Sequence, residues 1–267
     1  MEEVVVKDSL GDRMKSYENV TRQYLVPKQP VIVRIDGRHF HSYVKQPWVK
    51  APFDRNIILA FQSAAVKVCE EISNVQFAFH QSDKVSFFLK DYKSIEDQMI
   101  FKGNIQKIAS IFASKFSNHF NSIISRLVRE EYNNEFSVSF GEFDARVWNI
   151  PKEEVINYFV WRQRDWEKNS VTAYAIKLFS HDEVNLLHTN EKKEKIKTIG
   201  KDWDKLETFL KRGSAFKKVI IEQKIKELPE AAIKQHVKMN LMPEDTVERK
   251  KWVVDANPPR FEELKDY

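Results

Sequence analysis

Cysteine is almost missing from this chain: among 267 residues only Cys69 carries a thiol. A disulfide within the chain is therefore excluded, and a reducing intracellular setting is expected. Cys69 lies in an apolar helical stretch and reads as a small core residue rather than a catalytic thiol. Glycine and proline are also scarce, at 6 and 9 residues, which argues against long flexible linkers, and no low-complexity tract or internal repeat is present. No apolar run reaches the roughly 18 residues of a membrane span. Met1-Glu2-Glu3-Val4 lacks the basic-then-apolar order of a signal peptide. The expectation is no membrane partner and a cytoplasmic location, with an organelle as the alternative.

Hydrophobic residues make up 42% and charged residues 31% of the chain, the balance of a globular protein with ample sequence for a buried core. The net charge of +5 is modest but unevenly spread. Lys192, Lys193, Lys195, Lys197, Lys201, Lys205, Lys211, Arg212, Lys217 and Lys218 crowd one region, a concentration able to attract a polyanion such as RNA. Glu191, Glu194, Asp202, Asp204 and Glu207 are interleaved with them, so a solvated helix face is the competing reading. His39, His41 and His80 raise the question of zinc, but the 7 histidines include no helical i, i+4 pair and have no cysteine partners.

Hydrophobic periodicity predicts a charged helix at 12–24 with Met14, Tyr17, Val20 and Tyr24 as apolar contacts, and a strand at 30–36. A helix at 54–72 capped by Asp54 follows, then a hairpin at 75–90 and a helix at 96–120. One or two strands follow in 136–150, then a long helix at 152–180. Short strands are expected at Phe216–Glu222 and Lys250–Val254. Strand, helix, strand, strand, helix, strand is the split β-α-β order of ferredoxin-like α/β (α+β) sheets, in which helices cover one face and strand one lies beside strand three. Residues 1–170 are taken as a core and 171–267 as a basic C-terminal extension packed on it.

Two segments each deliver a carboxylate from the end of an apolar run. Val31-Ile32-Val33-Arg34-Ile35-Asp36-Gly37 reads as a buried strand. Phe77 to Phe88 reads as a hairpin turning at His80-Gln81-Ser82-Asp83. If strand and hairpin are neighbours, Asp36 and Asp83 meet at the sheet edge, where divalent cations relieve their repulsion. Two aspartates and the Gly37 carbonyl suffice for magnesium, and Gly37 lets the backbone bend close to an ion. The following amides of Arg38, His39, Phe40 and His41 could then cradle a triphosphate. For Asp36 alone, a strand-end turn residue is the simpler reading, and a lone lysine such as Lys50 is usually solvated.

In order and spacing, Arg34-Ile35-Asp36-Gly37-Arg38-His39-Phe40-His41, Gln81-Ser82-Asp83, Phe143-Asp144-Ala145-Arg146-Val147, Trp161-Arg162-Gln163 and Lys211-Arg212-Gly213 resemble the histidine-tRNA guanylyltransferase family, which polymerises in the 3′-to-5′ direction. The resemblance covers about residues 10–220. It implies a palm-like catalytic core with two magnesium ions, held by Asp36, the Gly37 carbonyl and Asp83. It implies a nucleotide cradle from Gly37 to His41 with Ser82, Lys50 on phosphate, and a homo-oligomer, the family forming tetramers. There are two departures. Lys84 replaces an acidic residue often found after the second aspartate, and Glu167-Lys168-Asn169-Ser170 stands where eukaryotic members carry His-Ile-Asn-Asn, so Asn169 survives and the histidine does not.

These residues look like the guanylyltransferase-like branch that repairs truncated tRNA 5′ ends. The expected enzyme is a nucleotidyltransferase that uses ATP, GTP and other nucleoside triphosphates on tRNA, adding nucleotides under template direction after ATP-dependent adenylylation of 5′-monophosphate ends. Lys211, Arg212, Lys217 and Lys218 are the expected RNA contacts. A dedicated guanylyltransferase, a palm-fold nucleotide cyclase and a non-catalytic tRNA-binding protein are the alternatives.

Overall fold

The computed structural model describes residues 9–228, 230, 233, 242 and 244–264, so the N-terminal tetrapeptide read above lies outside the described residues. Six strands form one antiparallel sheet in the order β4-β1-β3-β2-β5-β6. They are β1 Val31–Gly37, β2 Val75–Gln81, β3 Lys84–Leu89, β4 Phe143–Asn149, β5 Ser214–Lys224 and β6 Thr246–Asp255. The helices are α1 Leu10–Asn19, α2 Phe40–Tyr43, α3 Arg55–Glu71, α4 Ile105–Tyr132, α5 Val155–Leu178, α6 His181–Val184, α7 Thr189–Thr198 and α8 Thr208–Arg212. None of them is long and apolar enough to cross a membrane.

The split β-α-β order is present, and β1 lies between β3 and β4. Its register runs from Val31↔Leu89 to Asp36↔Lys84 on one side and from Val31↔Asn149 to Gly37↔Phe143 on the other. Both faces of β1 are covered, so it reads as a continuous apolar run rather than an alternating one. Val31, Val33 and Ile35 pack into one apolar cluster with Phe61, Ala64 and Val68 of α3 and Phe112, Phe116 and Phe120 of α4. On the other face Ile32 and Phe79 pack against Tyr158 and Phe159 of α5 and against Phe261. The two helices of the split pattern thus share one face, and α5 covers the other.

Capping sets the boundaries of the main helices. Asp54 Oδ1 accepts the Ile57 amide at 3.0 Å and starts α3 as expected. The helix expected from 96 begins only at Ile105, because Phe101, Lys102 and Gly103 have φ of 52°, 54° and 76° and cannot continue a right-handed helix. Asn104 caps the new start through the Lys107 amide. From there Ile108, Phe112, Phe116, Phe120, Ile124 and Val128 recur every fourth residue and are all buried, which carries α4 past 120 to Tyr132.

The helix expected at 12–24 is α1 and ends at Asn19. Its supposed apolar contacts Met14, Tyr17, Val20 and Tyr24 are all exposed. The stretch 136–150 supplies one strand, β4. Just before it, Asn121 holds Gly141 by accepting from its amide at 2.7 Å and donating to its carbonyl at 3.0 Å. The two short C-terminal strands are longer than expected and join the sheet as β5 and β6, with β5 on β2 through Ala78↔Phe216 to His80↔Ser214. Val171, Ala175, Val184, Ile196 and Trp203 form a third apolar cluster, which packs α6 and α7 on α5.

Candidate active site

β1 and the β2–β3 turn meet as the sequence expectation required. The Gly37 amide donates to the Asp83 carbonyl at 2.9 Å, which ties the end of β1 to the turn. A Cβ on Gly37 would lie 2.7 Å from the Phe40 ring and 3.2 Å from Asp83 Cβ, so only glycine permits this approach. Asp36 and Asp83 reach a single cation. Lys84 Nζ lies 3.0 Å from Asp36 Oδ1 and 2.7 Å from Asp83 Oδ1. All three side chains are largely buried. Burial works against the Lys84 charge, but its hydrogen bonds and attraction to Asp83 and Asp36 outweigh this and hold its pKa above the usual lysine value. Arg34 adds a weaker contact, 4.0 Å from Asp36.

Among the described residues no three His, Cys, Asp or Glu side chains converge on a metal position. His39 and His41 are exposed whereas His80 is turned into the core, so the three rings raised by the zinc question do not share a site. Two carboxylates already holding a cation between them, with a backbone carbonyl at hand, do fit magnesium's preference for oxygen ligands.

His80 supports the turn from below. Its Nε2 lies 2.9 Å from the Ser82 carbonyl, which can only accept, so the ring carries a proton there. Burial pushes the His80 pKa down to about 4, against the raising effect of that carbonyl. The ring stacks on Phe61 at 4.8 Å. Ser82, with φ of 54°, is exposed at the apex of the two-residue turn.

The candidate cradle begins where β1 ends. Arg38 is held by its amide to the Glu142 carbonyl at 2.8 Å and by its guanidinium to the Glu142 carboxylate at 2.9 Å. His39 takes a left-handed φ of 50° and turns the chain into α2. The Phe40 and His41 amides lie in the first turn of a helix, where backbone donors lack helical acceptors. The Phe40 side chain is core, packed 4.7 Å from Tyr43 and 5.3 Å from Phe61, so only its backbone is available to a ligand.

Beside the turn opens a cavity whose lining includes Pro52, Phe53, Ser82, Asp83, Trp166 and Phe209. Its walls are aromatic and apolar, with polar groups at the Asp83 end. Phe53 stands edge-on to Trp166 at 6.2 Å. Periodicity along the chain does not predict this cavity, although Trp166 stands out as an aromatic within the polar run from Arg162 to Ser170.

The motif Trp161-Arg162-Gln163 anchors α5 rather than lining the cavity. The buried Arg162 pairs with Asp165 at 3.3 Å and stacks on the exposed Trp161 at 4.6 Å, and its guanidinium faces the Gln81 side-chain amide behind the turn. Burial lowers its pKa. Gln163 donates to the Pro259 carbonyl and accepts from the Phe261 amide, both at 3.0 Å. Gly213 has φ of 82°, and a Cβ there would sit 2.4 Å from the His80 carbonyl, so β5 can approach β2 only with glycine at this position. Asp144 of the third motif faces Asp36 in register, and Arg146 faces Arg34.

Other expected site residues are placed differently. Lys50 pairs with Glu131 and lies 5.4 Å over the Tyr132 ring, outside the cavity lining. Asn169 is exposed on α5 and is also absent from that lining. The four expected RNA contacts all have partners in the chain. Lys211 donates to the Asp204 carbonyl, Arg212 pairs with Glu167 at 3.0 Å, Lys217 with Asp255 at 3.0 Å, and Lys218 reaches the Val75 carbonyl at 3.5 Å. Burial lowers the pKa of Lys211 and of Lys218.

The chain is 32% identical to a bacterial tRNA(His) guanylyltransferase (Thg1)-like protein solved in complex with ATP, with a TM-score of 0.77 over 96% of this chain and 95% of that one. A structure of such a bacterial protein in complex with GTP gives 31% identity and a TM-score of 0.72 over 97% and 96%. A probable tRNA(His) guanylyltransferase of Dictyostelium discoideum is 34% identical over 61% of this chain, which spans 60% of that relative's length. The profile described as Thg1, tRNA(His) guanylyltransferase, matches residues 11–151. With its paired aspartates, its palm-like sheet and a matched region exceeding half its length, the chain belongs to the tRNA(His) guanylyltransferase family of nucleotidyltransferases.

Proposed function

We propose that this protein extends the 5′ end of tRNA in the 3′-to-5′ direction, adding nucleotides under the direction of the opposite strand. The observation that carries the reading is the convergence of Asp36 and Asp83 on one cation, beside an aromatic cavity lined for a nucleotide base. The base stacks among Pro52, Phe53 and Trp166, and the triphosphate runs toward the Phe40 and His41 amides and toward Ser82. ATP and GTP are the nucleotides in the solved bacterial relatives, which supports the same ligands here.

A 5′-monophosphate first attacks the α-phosphorus of ATP, releasing pyrophosphate and leaving an adenylylated end. The 3′-hydroxyl of the incoming nucleotide then attacks the RNA 5′-phosphorus, and AMP leaves; with a 5′-triphosphate end, pyrophosphate leaves instead. Magnesium ions, when held by Asp36, Asp83 and the Gly37 carbonyl, would supply charge neutralisation and activation of the attacking oxygen. Asp36 and Asp83 orient the reacting groups from the end of β1 and from the β2–β3 turn, which the Gly37 amide ties together. The hydrophobic cavity excludes water from the base and limits hydrolysis of the activated end.

The test is incubation with magnesium, labelled nucleotides and a tRNA lacking its first 5′ nucleotide. Wild type adds a nucleotide to the RNA, whereas Asp36→Asn and Asp83→Asn, with unchanged circular dichroism, do not. Turnover of free nucleotide without RNA would indicate a cyclase, and binding without turnover a tRNA-binding protein.

A further inference from the structure

Lys84 Nζ occupies the space between the Asp36 and Asp83 carboxylates, 3.0 Å from one and 2.7 Å from the other. The backbone fixes where this ammonium originates. Lys84 stands in register opposite Asp36 on β1 and opposite Gln81 on β2, at the first position of β3. A divalent cation binding the same oxygens meets a like charge at close range in a half-buried setting, where repulsion is weakly screened. Both cations cannot occupy the gap.

We propose that Lys84 is a built-in competitor for divalent metal at Asp36 and Asp83, and that a nucleoside triphosphate relieves the competition by accepting the displaced ammonium. The lysine stem is flexible and its head carries three donors. Only 28% of the side chain is exposed, and Asp83, one of its two partners, lines the base cavity. A triphosphate laid there offers the ammonium a new anionic partner. Metal and nucleotide then favour each other's binding, because each vacates or rewards what the other needs. Without nucleotide, the carboxylates stay paired with Lys84 and the site resists metal. This role presupposes the metal reading of the two aspartates.

Arg34 lies 4.0 Å from Asp36, so that carboxylate has a cationic neighbour besides Lys84. The test measures Mn²⁺ binding to the full chain by electron paramagnetic resonance, without any turnover. It compares wild type, Lys84→Gln, Lys84→Met and Asp83→Asn, each with and without α,β-methylene-ATP. Both Lys84 variants should bind Mn²⁺ roughly 5–150-fold more tightly than wild type in the absence of the analogue, the range usual for coupled sites. With the analogue bound, that gap should narrow. Unchanged Mn²⁺ affinity in a folded Lys84 variant would overturn the competitor role. A gap of equal size with and without the analogue would overturn the nucleotide's part. Wild-type affinity in Asp83→Asn would instead remove the metal site itself, an outcome distinct from the other two.

Discussion

Arg212 Nε donates to Glu167 Oε1 at 3.0 Å, and this pair joins α8 to α5 just before the start of β5. Arg260 adds a second cation 3.4 Å from the same carboxylate. By the resemblance of the motifs, Glu167 stands where eukaryotic guanylyltransferases carry histidine. Its charge is neutralised by Arg212 and Arg260, whereas Arg164, a nearer candidate in sequence, pairs with Glu262 at 2.5 Å. No ring is available at this position to contact a particular nucleotide. On a tRNA lacking its first 5′ nucleotide, the enzyme is expected to add whichever nucleotide complements the opposing base. A competition assay with all four opposing bases checks this; guanosine added equally against every base would restore the dedicated guanylyltransferase.

The same pair carries a stability prediction. Arg212→Gln leaves Glu167 with Arg260 alone, and removal of the charged hydrogen bond should cost about 1–2 kcal/mol. Urea unfolding monitored by tryptophan fluorescence would measure it. Arg212→Gln combined with Glu167→Gln should recover most of the loss, since neither charge is then left uncompensated.

Gly213→Ala is expected to be far more damaging. The alanine would adopt a φ of 82° and place its Cβ 2.4 Å from the His80 carbonyl, a backbone atom of the adjoining strand. Strain and clash together should cost about 3 kcal/mol or more. The displacement falls on β2 immediately before the Ser82-Asp83 turn, so catalysis should decline even where folding persists. Thermal denaturation and single-turnover rates would show both effects.

His80 should give the fold an acid sensitivity. Its pKa is depressed from 6.5 to about 4 by burial, so between those values the unfolded chain binds a proton that the folded chain does not. The stability due to the neutral ring is complete above about pH 6.5 and is lost as pH falls toward 4, up to on the order of 3 kcal/mol. His80→Phe should flatten that part of the stability profile relative to wild type. Denaturant midpoints taken from pH 7 to pH 4 would read it, and parallel profiles for the two proteins would contradict it.

For RNA binding, the exposed end of the basic segment is the part to test. Lys217 is 55% exposed although paired with Asp255, and Lys218 stacks over Trp252 at 5.0 Å. Lys217→Gln with Lys218→Gln should weaken tRNA binding and reduce the log-log salt slope by up to roughly 0.7–0.9 for each phosphate that is no longer neutralised. Free nucleotide affinity should hold. Filter binding at several salt concentrations separates this from a solvated surface, for which the slope would not move.

Local periodicity and capping are enough to place several elements from the residues alone. The β1 apolar run, α3 with its Asp54 cap and the β2–β3 hairpin stand where the pattern puts them, because each buries a face whose spacing matches its own geometry. The meeting of Asp36 and Asp83 is legible for the same reason, once the split β-α-β order places strand one beside strand three. The start of α4 is not, since three consecutive positive φ values break the helix at Phe101, Lys102 and Gly103, beside Leu25 whose amide donates to the Gly103 carbonyl, and neither Phe101 nor Lys102 is a helix-breaking residue type.

Which charges face each other is settled by the packing of whole elements. Lys84 is one residue from Asp83 in the chain, but its contact with Asp36 comes from the register of β1 on β3. Arg212 meets Glu167 across 45 positions, and Lys50 turns to Glu131 across 81. Trp166 and Phe209 come to the Asp83 turn from separate helices. Ion pairs and cavities depend on distances between elements, and periodicity along a single element carries no record of those distances.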